Sequence, residues 1–250
     1  MNLLNLYLAG LLTMALSCQK EKIERASGIE QKAPHQIVVI YAGHMEAPTG
    51  KNNQGSTSTR GIPEYQFNDN IVSQFPALST DSLEYKVHLA KENIPLQERP
   101  SVSDKENATA YIEIHHDSAQ LETLQRLQNG VQTPNTWKEV SGFSVFYSVN
   151  NPYVQESRDL AMLIARNLIA AQYAPNRYHA LHLEGEQRKE IAPGVYEADF
   201  LVLKNTELPA VLVERGVITN PFEEEQLNTT ESKKKFVDAV DKAVKQFIFH

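Results

Sequence analysis

Three apolar runs in this chain end on residues that can bind a metal ion or work beside one. Residues 36–42 lead into Gly43-His44, residues 110–114 into His115-His116-Asp117, and residues 210–213 into Glu214. A fourth candidate, Glu64, follows Gly61-Ile-Pro, where a helix is expected to begin because proline suits the first helical turn. Imidazoles and carboxylates are the donors that borderline metals accept, and a carboxylate outside the ligand set can move protons. None of these residues forms a local signature such as His-Glu-x-x-His, so spacing alone assigns no roles. Position is the stronger signal. Open α/β sheets bind ligands beyond the carboxyl ends of their strands, and three of the candidates lie there.

The elements that would position them follow from the pattern of apolar residues. The runs at 36–42, 110–115 and 210–214 are continuous and rich in β-branched residues, as strands buried on both faces are. Further strands are expected over 84–90, 143–148 and 200–203. Phe67, Ile71 and Phe75 recur every four residues before Pro76, which predicts a helix from about Pro63. Leu160, Leu163, Ile164 and Leu168 predict another over 153–172. Asn220-Pro221 opens a third, with Glu223, Glu224 and Glu225 near its positive dipole end. Phe236, Val240, Ala243, Val244 and Phe247 mark the last. Residues 43–61 read as a long polar loop. Strands alternating with helices imply an α/β fold: a single domain over 36–250 with a mostly parallel central sheet and helices on both faces.

A chain of 250 residues with 41% hydrophobic and 22% charged residues can bury a core, and its composition is not that of a disordered chain. A net charge of -7 without a long basic run argues against nucleic acid as a partner. Residues 1–17 carry no charged side chain and include the apolar stretch 6–12, too short for a comfortable membrane span but placed as a signal peptide would be. The stretch ends Ala15-Leu16-Ser17-Cys18, which resembles a bacterial lipobox, with Ala15 where leucine is preferred and no charged residue ahead of the apolar run. The expectation is an exported lipoprotein anchored to a membrane through Cys18. Cys18 is the sole cysteine, so no intramolecular disulfide forms. Residues 18–35 are polar and read as a flexible tether.

The four strand-end and helix-start blocks together resemble the zinc-dependent N-acetylmuramoyl-L-alanine amidases of the cell-wall hydrolase type, from Ile37 to the C-terminus. The family's strand followed by Asp-Pro-Gly-His-Gly matches Val-Ile-Tyr-Ala-Gly43-His44-Met. Its helix-opening glutamate matches Gly61-Ile-Pro-Glu64. Its upstream arginine and Ser-Ile-His-Ala-Asn strand match Arg99 and Ile112-Glu-Ile-His115-His-Asp. The most extensive match runs from Leu203 through Pro-Ala-Val-Leu-Val-Glu214-Arg-Gly-Val-Ile-Thr-Asn to Pro221. The resemblance implies that His44, Glu64 and His115 hold zinc and that Glu214 is the catalytic carboxylate. It implies a peptidoglycan substrate, cut between N-acetylmuramic acid and L-alanine. No organic cofactor is needed, and no glycine-rich phosphate loop is visible. The chain departs from the family where Tyr41-Ala42 replaces Asp-Pro, where the loop to Glu64 is long, and where His116 and Asp117 follow His115.

Strand alternation puts Glu113 on the face of His115, where it either orients that histidine or makes a salt bridge, and turns His116 away, towards the surface or the substrate cleft. Arg99 is either a family residue or one half of a structural ion pair. His35, His88, His179, His182 and His250 receive no role. Residues 118–141 form an insertion in which Leu121, Leu124, Arg126 and Leu127 suggest a short helix. A monomer is expected. Two other readings remain open: another zinc amide hydrolase, such as a carboxypeptidase-like or N-acyl amino acid hydrolase, and a wall-binding lipoprotein with a disabled site.

Overall fold

The computed structural model describes residues 34–47, 53–119, 140–180 and 188–249. The signal segment, Cys18, most of the tether and the helix expected around residues 121–127 lie outside them. Residues 35–250 form one compact unit.

The β-branched runs become strands β1 (Gln36–Ala42), β3 (Ala110–Asp117) and β7 (Ala210–Val217). Around them lie β2 (Leu83–His88), β4 (Ser144–Tyr147), β5 (Lys189–Ala192) and β6 (Val195–Glu197). The seven strands form one sheet in the order β2-β1-β3-β7-β4-β6-β5. Pairing is parallel from β2 through β1 and β3 to β7, and between β4 and β6. The pairs β4–β7 and β5–β6 are antiparallel. The β5–β6 hairpin turns at Pro193-Gly194, where Gly194 has φ 74°.

Alternation along each strand divides the side chains between two apolar layers. Val38, Ile40, Ile112 and Val211 face one layer, which is completed by α1 (Glu64–Val72), α3 (Val154–Ala170) and α6 (Thr230–Phe249). Val39, Tyr41, Tyr111 and Leu212 face the other, together with Val202 and Leu203 of α4 (Leu201–Lys204). The sheet is thus the mostly parallel, helix-covered sheet of an α/β domain. Two further helices are α2 (Arg99–Lys105), which supplies Arg99 to the site, and α5 (Pro221–Leu227). In α5 the side chain of Asn220 accepts hydrogen bonds from the backbone N–H groups of Phe222 and Glu223, so it caps the helix.

Residues 200–203 are not a strand. Phe200 is the N-cap of α4, and its carbonyl accepts from the N–H groups of Leu203 and Lys204. A four-residue apolar run has no period long enough to separate a strand from one buried helical turn, and here packing decides.

Candidate metal centre

The site is assembled near the carboxyl ends of β1, β3 and β7, with His115 and Glu214 among the last paired positions of β3 and β7. After β1, the N–H of Gly43 donates to the carbonyl of Ile114 at 2.8 Å, which holds the chain against β3. His44 follows with φ 68°, an uncommon conformation for a residue with a Cβ. Its Nε2 lies 3.0 Å from Glu64 Oε2. From β3, His115 Nδ1 lies 3.0 Å from Glu64 Oε1. One donor atom from each of the three residues lies within 4.8 Å of the others.

Two glycines make this convergence possible. A Cβ on Gly43 would fall 2.3–2.5 Å from three atoms of the His115 ring. A Cβ on Gly55, which has φ 76°, would fall 2.5 Å from Glu64 Oε2 and 2.6 Å from His44 Cδ2. Glu64, the first residue of α1, is buried and held by the N–H groups of Ser56 at 3.1 Å and His116 at 3.3 Å. Burial alone would raise its pKa, but the hydrogen bonds from His115 and His44 hold it below the usual carboxylate range.

His115 lies between two carboxylates, since its Nε2 is 3.2 Å from Glu113 Oε1. Burial disfavours a charged ring, yet the bonds to Glu113 and Glu64 push its pKa up to about 10. Two carboxylates around one ring favour positive charge beside it, which a divalent cation between the ring and Glu64 would supply. Two imidazoles and one carboxylate are also a donor set that suits zinc with a position left open. On both grounds these residues fit a metal ion.

Glu214 stands outside that trio. The β3–β7 register pairs it with His115, so both side chains leave the same face of the sheet. Both line a cleft of about 400 Å³, with His44, Glu64, Arg99 and Asp117 also in its wall. The Oε2 atom of Glu214 is buried and has no hydrogen-bond partner among the described residues. Burial pushes its pKa well above the ordinary value, with the nearby His115 opposing the shift. A buried, unpartnered carboxylate oxygen is costly unless a substrate or solvent group meets it. A larger cavity of about 670 Å³, bordered by Tyr173, Phe222 and Glu223, contains none of these residues.

All four expected site residues meet in the one cleft. Glu113 does approach His115, and it also forms an ion pair with Arg99, so both expectations for those residues converge on one carboxylate. His116 does turn away from His115 and is among the residues lining the cleft, but its ring does not reach the surface. Its ring is buried, with Nδ1 2.7 Å from Asn68 Oδ1 and Nε2 3.5 Å from Arg215. Burial, then the Arg215 charge, lowers its pKa well below the ordinary value, so it is a neutral core imidazole. The layer it enters is built from residues distant in sequence, which alternation cannot foresee. His179, given no role, places Nε2 2.7 Å from Asp117 Oδ2 at the wall of the cleft. Sixty-two positions separate the two, and no local pattern marks the pair.

A metal-competent trio at the carboxyl ends of a mostly parallel sheet, faced by an unpartnered carboxylate, has the form of a metal-dependent α/β hydrolase. The profile of the N-acetylmuramoyl-L-alanine amidase family matches residues 38–246, and the chain belongs to that family. It is similar to the N-acetylmuramoyl-L-alanine amidase AmiA of Salmonella typhimurium, at 27% identity over 188 residues. That match takes in 63% of this chain and 57% of AmiA, so the chain spans little more than half the length of this relative. The fold is shared with an N-acetylmuramyl-L-alanine amidase from Mycobacterium smegmatis, at TM-score 0.66 and 20% identity over 86% of this chain and 98% of the other. It is shared also with an amidase from Clostridium difficile, at TM-score 0.64 and 18% identity over 86% and 98% of the two chains.

Proposed function

We propose that this protein hydrolyses the amide bond between N-acetylmuramic acid and L-alanine in peptidoglycan, with zinc held by His44, Glu64 and His115 and with Glu214 as acid–base catalyst. The observation that carries the reading is the unpartnered Oε2 of Glu214, out of solvent and on the same sheet face as His115. Family membership supplies the substrate class. When bound, zinc supplies Lewis acidity, lowering the pKa of a water to about 7 and polarising the scissile carbonyl.

The chain's own residues do the rest. Glu64 joins the two histidines, with one oxygen towards each. Its low pKa keeps it ionised at neutral pH, as a ligand must be. Glu214 accepts a proton from the attacking water and returns it to the amide nitrogen of L-alanine, which leaves poorly as an anion. Burial of its Oε2 on the face of His115 places this carboxylate to take the proton and to return it. The cleft walls, which include Arg99 and Asp117, hold the substrate over this face. The carboxypeptidase-like reading has no comparable family match behind it, and a disabled site would be expected to lack at least one of the four residues. The lipobox-like Ala15-Leu16-Ser17-Cys18 completes the proposal with export and a lipid anchor at Cys18, which brings the cleft to the wall.

Zinc stoichiometry measured beside turnover in two isosteric variants tests the division of labour. Glu214→Gln should keep zinc and lose roughly 10²–10⁴-fold in rate. Glu64→Gln should lose zinc and activity together. The opposite pattern would exchange the two glutamates and overturn the assignment.

A further inference from the structure

Arg99 touches both histidine arms of the site. It donates through one terminal nitrogen to Glu113 Oε1 and to the carbonyl of Ala42, at 3.3 Å for the latter, and through the other to the carbonyl of His44. Its Nε donates to the carbonyl of Ile94 at 3.2 Å, which fixes the guanidinium plane. Arg99 is 3% exposed and Glu113 is 0% exposed, so each charge relies on its protein partners. We propose that Arg99 and Glu113 act as one positioning unit that sets both histidine ligands, the ring of His115 through Glu113 and the backbone of His44 directly. The inference rests on the proposed function, since it takes His44 and His115 as ligands.

The His115 arm follows from the hydrogen-bond inventory. The carboxylate of Glu113 can only accept. Oε1 faces Arg99 and His115 Nε2, and Oε2 accepts from the hydroxyl of Tyr111. Glu64 Oε1, facing Nδ1, can only accept as well, so a cation held there in place of a proton leaves the ring's own proton on Nε2, facing Glu113. That leaves the Nδ1 lone pair aimed into the trio, 3.0 Å from Glu64 Oε1. Fixing a ligand's tautomer and rotation through its far nitrogen raises its competence as a donor.

The His44 arm follows from the backbone. A residue at φ 68° stays there only when its surroundings hold it. Arg99 grips the carbonyls of Ala42 and His44, on either side of the Gly43 linkage, and so clamps the segment that turns His44 towards Glu64. An ion pair that served the core alone would need neither the ring of His115 nor the carbonyl of His44.

The test uses the variant Glu113→Gln and the charge-balanced double variant Arg99→Met with Glu113→Gln, each confirmed folded by circular dichroism. Zinc affinity is measured by competition with a chromophoric chelator, and the cobalt(II) derivative by its visible absorption. The double variant guards against misfolding, because it leaves no unpaired buried charge. Glu113→Gln should weaken zinc binding by about 10–100-fold and alter the cobalt(II) spectrum, with the double variant at least as weak. Folded variants that bind zinc within about threefold of wild type, with the wild-type cobalt(II) spectrum, would overturn the proposal. Wild-type protein without affinity for either ion would overturn the ligand assignment, and this inference with it, so the two failures are told apart by the wild-type titration.

Discussion

Gly43→Ala adds one methyl group and tests how tightly the site is built. The new Cβ would meet His115 Cε1 at 2.3 Å, Nε2 at 2.4 Å and Nδ1 at 2.5 Å, where ordinary contact begins at 3.4 Å. The ring or the backbone must give by about 1 Å. Neither is free to do so. The backbone at Gly43 donates to Ile114 and accepts from Asn68 Nδ2 at 3.0 Å. The ring is held at both nitrogens, by Glu64 at 3.0 Å and Glu113 at 3.2 Å. Gly43 does not have a positive φ, so steric overlap rather than backbone strain is the whole effect. Overpacking of this kind costs about 1–3 kcal/mol of stability. Displacing a reacting or ligating group by about 1 Å costs roughly 10²-fold in rate. Zinc affinity should therefore fall by about 10–100-fold, with a lower urea midpoint for the metal-free protein. A Gly43→Ala protein with wild-type zinc affinity and an unchanged midpoint would refute the packing argument.

Two further outcomes are expected. Burial pushes the Glu223 carboxyl from 4.5 up to about 7, against the bonds it accepts from the N–H groups of Val217 and Gly142. A carboxyl with a raised folded pKa contributes stability that is present below about pH 4.5 and lost as pH rises through about 7. Melting temperature should fall over that window more steeply in wild type than in Glu223→Gln, and parallel profiles would contradict it. Separately, Cys18→Ser should move the protein from the membrane fraction to the soluble fraction of cells and abolish labelling by fatty acid. Wild-type protein that takes no label would end the lipoprotein reading.

Much of the site was legible because strand periodicity carries chemistry with it. The β-branched runs at 36–42, 110–115 and 210–214 fix three adjacent strands, and their register brings His115 opposite Glu214. Alternation also places Glu113 beside His115 and turns His116 away. It says nothing of what receives the turned residue, and the partners of His116 lie 48 and 99 positions off, in Asn68 and Arg215. The helix α2 escaped notice because Pro100, Ser101 and Ser103 give it weak intrinsic propensity. It is held from outside instead, with Asp104 accepting from Thr206 and from the N–H of Glu207. The β5–β6 hairpin has strands of only four and three residues, too short to show a period, although Pro193-Gly194 does mark its turn. The pair Asp117–His179 belongs to the same class as His116, a contact made by the fold rather than by any local pattern.

Mass spectrometry of digested peptidoglycan reads directly which bond is cut. Purified sacculi, and muropeptides prepared from them, are incubated with the zinc-loaded protein and with the Glu214→Gln variant. Amidase action releases free stem peptides that begin with L-alanine from glycan strands left intact, with little product from the variant. Stem peptides shortened at their C-terminus, with the muramoyl–alanine linkage still in place, would contradict it.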